Sequence, residues 1–471
     1  MPHVRSRRRA AGFRTRRRPG ISRFLLFAFA FAVMADPVSS VAYAPEAGLR
    51  ALGNDLTLLV PTMLVVLGII LLVRVNYHQL IRRFPEGGGA VAATAAAFGE
   101  GWAFIPLGAL IVDFVLTIAI SVAAASSAII AYFPALAPGR VPLAVGLCAL
   151  VAAVTWFGHI GRSVFASMTL LFVAVALPIL IMGFVAPHAT APPHVANQGV
   201  TSGAFLLVML AFPVAMASAI GIEGMSSSIA QLGQLNDEGR VRSGHVTSWL
   251  TLAIQGTLTM LVALLAVHLA IGAPRANDTL IAELARTSAG DGGLFASFQL
   301  ASLLLLLAAA SSSFQAGPGM LKALARRGPA GETGVGILPS VFGRVNKHHT
   351  PYWGVLLFFL ISGTVVIAAR GLDQSLVLFY AVAVFVSFLT GLLAMASFSG
   401  RSHDMKHVII NLVGAAVVAL TILINLRRGF PIASLAAALA IGGFFAWMWI
   451  RQGRPRGIAQ VEAKIERDLS P

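Results

Sequence analysis

Twelve apolar runs organise the chain, at roughly residues 24–49, 56–73, 104–132, 141–158, 163–186, 202–234, 247–272, 292–321, 353–369, 374–398, 408–426 and 430–450. About 20 apolar residues carry a helix across a bilayer, so each run predicts one transmembrane helix. Polar residues inside such runs are few, which makes their positions informative. In the third run Asp113, Thr117 and Ser121 fall at i, i+4 and i+8, one stripe of a helix whose intervening positions are apolar. That stripe faces protein or water rather than lipid.

Two runs are interrupted. The first contains AVMADPVSSVAYAPEA (32–47), where Asp36 puts a carboxylate at membrane depth and Pro37 removes a backbone donor. The sixth contains PVAMASAIGIEGMSSSIAQ (213–231), with Pro213, Gly221 and Gly224 around Glu223 and the serines 226–228. Non-helical backbone and ionisable groups are tolerated inside a membrane where they line a cavity. Breaks at the first and sixth positions predict a five-plus-five inverted repeat of the LeuT-like kind, with substrate held where the breaks meet. The expected fold is therefore an all-α integral membrane protein of twelve helices. Its parts are a basic tail (1–23), a transporter domain (24–450) and a short tail (451–471).

Composition agrees: 57% of residues are hydrophobic, 11% are charged and the mean hydropathy is +0.84, against about a quarter charged in a soluble domain. The net charge of +16 does not indicate nucleic acid, because the basic residues lie between apolar runs. With both ends cytoplasmic, inner segments hold 27 of the 34 Lys and Arg and outer loops hold 7. The positive-inside rule thus places both termini in the cytoplasm, the membrane being the plasma (inner) membrane. The Arg-rich leader before a short apolar core mimics a signal peptide. Cleavage would leave an odd number of spans, so the leader is expected to stay as an anchor near anionic lipid.

Of 18 acidic residues, only Asp36, Asp113 and Glu223 lie well inside the runs, and no basic residue is expected at their depth. Unpaired carboxylates there are suited to binding cations or carrying protons. Glu223 and Asp113 are the candidates for proton coupling. The single cysteine, Cys148, excludes an intrachain disulfide. No Walker, HExxH, paired-cysteine or GxSxG pattern occurs, so neither an enzyme nor a cofactor is expected.

At these residues the chain resembles the amino acid–polyamine–organocation (APC) superfamily over about residues 30–450. FPEGGGAVAATAAAFGE (84–100) is similar to that family's inner loop between the second and third spans, and GIEGMSSSIAQL (221–232) to its broken sixth helix. The stretch from FQAGPGMLKALAR to ILPSVFGRVNKHHTP resembles its eighth-span exit. Within the superfamily, DPVSSVAYAPEA resembles the KimA-type potassium–proton symporters; the Gly-Ser-Gly opening usual in amino acid permeases is absent. That likeness implies a cation held by Asp36 and Tyr43 of the first helix and the hydroxyls of Thr117 and Ser121. Where that group has a sixth-helix threonine, this chain has Ile220. Only 21 residues follow Ile450, so the group's usual trailing soluble domain is not expected.

The implied function is a secondary active importer in which the substrate sits among Asp36, Tyr43, Thr117, Ser121 and the unwound Ala219, Ile220 and Gly221. Its partners are a small solute or cation, protons and the lipid bilayer, with no nucleic acid; a homodimer stays open. Potassium is favoured, an amino acid permease is the alternative, and an ion channel is the reading from a different class.

Overall fold

The computed structural model describes residues 23–158, 161–188, 203–274, 277–325 and 335–468. The Arg-rich leader up to residue 22, and part of the loop after the eighth run, lie outside them. The described residues are helical and contain no strand.

The first run is not one helix. It divides into α1 (Arg23–Val33), α2 (Ala35–Ser39), a 3₁₀ turn (Ser40–Ala42) and α3 (Ala44–Ala51). Then follow α4 (Leu59–Arg83), the short α5 (Gly89–Phe98), α6 (Phe104–Tyr132), α7 (Arg140–Trp156) and α8 (Arg162–Val185). The sixth run divides into α9 (Ala204–Ala215), a 3₁₀ turn (Met216–Ala219), α10 (Gly224–Ser228) and another 3₁₀ turn (Ile229–Gln231). The second half of the chain carries α11 (Asp237–His268), α12 (Leu280–Ala289), α13 (Gly293–Ala325), α14 (Tyr352–Ala368), α15 (Asp373–Arg401), α16 (Met405–Leu426), α17 (Phe430–Arg451) and α18 (Val461–Asp468).

Ten helical stretches among the described residues are long and apolar enough to cross a membrane. The first run falls short because its breaks leave no long helix, and α14 because it has only 17 residues. The helices sort by what they face. α6 is the most enclosed, packed by α13, α15, α17 and α7. α17 turns Leu439, Phe444, Trp447 and Ile450 outward. A large apolar exterior of this kind suits hydrocarbon, not water.

Two expectations about charge are corrected here. The second membrane helix runs ten residues past the end of its apolar run, to Arg83, so Arg74 lies inside it and not in a loop. Arg74 is 1% exposed; its Nη1 donates to the Ser248 carbonyl at 2.6 Å and reaches Met225 Sδ at 2.7 Å. A cation therefore does share the depth of the sixth-helix break. Glu46 on α3 is a further buried carboxylate. It accepts from Arg50 Nε at 2.8 Å and from the Leu280 amide, the first residue of α12, at 2.8 Å. Arg50 also donates to the Pro274 carbonyl at 2.7 Å. These contacts tie α3 to the segment around α12, at the end of the bundle away from α1.

Candidate functional site

The two breaks meet. Gly221 has φ +75°, and a Cβ there would stand 2.7 Å from Pro37 Cδ and 2.9 Å from Asp36 Cγ. Only a residue without a side chain lets the sixth helix turn this tightly against the first.

Around the contact, hydroxyls divide into two sets. Ser39 Oγ donates to the Asp36 carbonyl at 2.7 Å and Ser40 Oγ to the Pro37 carbonyl at 2.6 Å, so both serve the local turn. Ser226 and Ser227 likewise donate back to Glu223 and Gly224 carbonyls at 3.1 Å, and Ser228 closes on the Gly224 carbonyl. The second set is unspent. Among the described residues, Asp36 Oδ1, Tyr43 Oη, Thr117 Oγ1, Ser121 Oγ and Ser218 Oγ are buried and make no well-formed hydrogen bond. A buried polar atom left unpaired costs ~1–3 kcal/mol. Buried oxygens of this kind are candidate ligands for a bound solute.

The stripe of α6 faces inward as its spacing implies: Asp113, Thr117 and Ser121 are all buried. Tyr380 on α15 donates a short hydrogen bond to Asp113 Oδ1. Asp36, Tyr43, Asp113 and Tyr380 lie within electrostatic reach of one another. Ala219 and Ile220 are buried in the unwound stretch, whose backbone is held only by single turns of 3.3–3.4 Å. Gln255 on α11 ties the breaks together, with its Nε2 donating to Ser40 Oγ at 3.2 Å and to the Ser218 carbonyl.

Glu223 follows the unwound stretch and immediately precedes α10. Tyr77 Oη donates to its Oε1 at 3.3 Å, and the Ser387 hydroxyl of α15 lies beside the same buried carboxylate. Tyr380, Tyr77, Gln255, Ser218 and Arg74 did not emerge from the sequence pattern. A signal was present for the tyrosines, since only five occur and Tyr43, Tyr77 and Tyr380 are buried.

A cavity of about 120 Å³ reaches Asp36 from the α1 side. It passes Gly221, Gly224, Ser228 and Gln231 on one wall and Ser312, Ser313 and Gln315 of α13 on the other.

Membrane-length helices wrapped around the buried meeting point of two broken helices have the architecture of a multi-pass membrane transporter. Comparison with known proteins gives the same class. A family model described as "Amino acid permease" matches residues 21–446, and the chain belongs to that family, within the APC superfamily. The potassium transporter KimA of Bacillus subtilis (strain 168) is 27% identical over 366 residues, covering 75% of this chain. The chain spans 58% of that relative's length.

Proposed function

We propose that this protein is a secondary active importer of a small cation, potassium being the favoured substrate and the proton the coupling ion. The observation that carries the reading is a set of buried oxygens without a well-formed hydrogen bond on the two breaks and α6: one carboxylate, one phenol and three hydroxyls. Potassium is bound by oxygen ligands that replace its hydration shell. Ser218 supplies a hydroxyl two residues before Ile220, where the KimA-type pattern has threonine, so the missing oxygen has a neighbour able to replace it. The similarity to KimA, a potassium transporter, supports the same substrate.

A zwitterionic amino acid would need a donor-rich helix end for its carboxylate. Here Glu223 occupies the start of α10 and would repel that group. In the proposed cycle Asp36, Tyr43, Thr117, Ser121 and Ser218 hold the cation. Glu223 carries the proton, because it directly follows the movable unwound stretch, while Asp113 sits on the unbroken α6. The broken first run and the 17-residue α14 join the ten longer stretches to make twelve spans in a five-plus-five inverted repeat. Both termini would face the cytoplasm across the plasma membrane.

The test is potassium uptake in cells stripped of their own potassium importers, run beside labelled amino acids and followed by counterflow in proteoliposomes. Potassium uptake driven by an inward proton gradient, with trans-acceleration, is expected. Amino acid flux without potassium flux would replace the substrate; potassium flux without trans-acceleration would replace carrier by channel.

A further inference from the structure

The C-terminal segment does not trail from α17 into solvent. Beyond Arg451 the chain turns at Gly453 and Gly457, both with positive φ, and comes back to the bundle as the 3₁₀ turn Ile458–Gln460 and α18. Ile458 is 0% and Val461 1% exposed, and Glu462 and Ala463 are also buried. α18 packs on α10, on the turn Ile229–Gln231 and on α13. Residues of all three line the cavity that ends at Asp36. The turn Ile229–Gln231 leads into Leu232, which packs with Leu235 against Phe29 and Val33 of α1, so the tail lies at the cavity's α1 side.

The docking is close. Gly89, at φ +48°, starts α5; a Cβ there would stand 2.8 Å from Glu462 Oε1 and 3.0 Å from Ser226 Oγ. The tail carboxylate, the start of α5 and the second half of the sixth helix therefore meet at one point. Gly88 makes room in the same way, a Cβ there standing 3.3 Å from the Ala459 carbonyl. Glu462 is also within electrostatic reach of Glu223 and Tyr77.

One of the elements on which the tail rests is short and adjoins the break. α10 has five residues and follows a stretch held by isolated turns. Such a segment can shift only if whatever is docked on it shifts or lets go, and the docked state is favoured by as much as that contact is worth.

We propose that residues 457–468 are an autoinhibitory cap. Docked, the segment clamps α10 and the glycine loop at 87–89 against α13 and so holds that wall of the cavity in place; undocked, it lets the α1 side open. The inference rests on the reading of the protein as a transporter but not on which substrate it carries.

The experiment uses the full-length protein with a cysteine placed at Gln231 (Gln231→Cys) and measures its reaction with a membrane-impermeant maleimide. The one native thiol, Cys148, is 0% exposed and gives little background. The double variant Ile458→Asn/Val461→Asn removes the apolar anchors and keeps the chain length. Removal of everything after Arg456 is the second variant, should the first fold poorly. Labelling about tenfold faster than in the docked protein is expected, a population change of that size needing ~1.4 kcal/mol. Initial uptake should rise with it, and a synthetic peptide of residues 457–468 should reverse both effects. Unchanged labelling in a well-folded variant overturns the cap. So does reduced uptake that the peptide leaves unrestored, which would make the tail a structural buttress. Faster labelling in a protein that moves no potassium upholds the cap and rejects the substrate reading instead.

Discussion

The two broken helices use the same device for different ends. The first break is short and braced from within. α2 lies between a turn at Met34 and another at Tyr43, and Ser39 and Ser40 fasten its backbone by bonds of 2.7 and 2.6 Å. What remains unspent is the Asp36 carboxylate and the Tyr43 hydroxyl. The sixth break is longer and weakly held. Its amides at Ile220, Ile222 and Met225 reach carbonyls three residues back at only 3.3–3.4 Å. Its carboxylate is steadied from another helix by Tyr77. The difference assigns the roles in the proposed cycle: the rigid break presents ligands, and the loose break supplies movable backbone and a proton carrier.

Asp36→Asn gives the largest effect expected from this comparison. It deletes the only carboxylate at the rigid break, and a charged buried contact is worth ~3 kcal/mol, about 100-fold. Cation uptake at matched surface expression measures it, and wild-type rates would remove Asp36 from the site. Gly221→Ala comes next. The positive φ alone costs ~1–2 kcal/mol, about 5–30-fold, before the clash with Pro37 is counted. Gly224→Ala is the control, because its Cβ would meet nothing within 4 Å. Equal losses in the two variants would mean that the close approach of the breaks is not what matters.

Glu223→Gln should reduce uptake by about tenfold or less, a change of ~1.4 kcal/mol, while abolishing its response to an imposed proton gradient. If gradient dependence survives unchanged, the proton carrier is Asp113 and Glu223 is structural. Ile220→Thr is the mildest variant. It adds a hydroxyl to the loose break and should lower the apparent potassium constant about fivefold, from ~1 kcal/mol for one added oxygen. An altered preference among amino acids, with no potassium flux in either protein, would assign Ile220 to an apolar side-chain pocket.

The membrane class, the position of both breaks and the buried stripe of Asp113, Thr117 and Ser121 were legible in the sequence. Each is a local property: hydropathy over one run, a proline or glycine within it, or a spacing of four on one helix. What those residues do was not legible to the same degree. Ser39, Ser40 and Ser226 to Ser228 lie at the breaks in sequence, yet the structure spends them on carbonyls three or four residues back. Ser218 looks like any serine in an apolar run and remains unspent.

Tertiary structure alone decided the rest, because those contacts join residues far apart in the chain. Tyr380 reaches Asp113 across 267 positions, Tyr77 reaches Glu223 across 146, and Gln255 reaches Ser40 across 215. No local periodicity records how helices are ordered around α6, so it cannot name these partners. The same holds for Arg74, which an apolar run ending at residue 73 leaves in a loop and the longer α4 draws into the core. It holds also for the C-terminal segment, whose few apolar residues show their purpose only where Ile458 and Val461 become buried against the bundle.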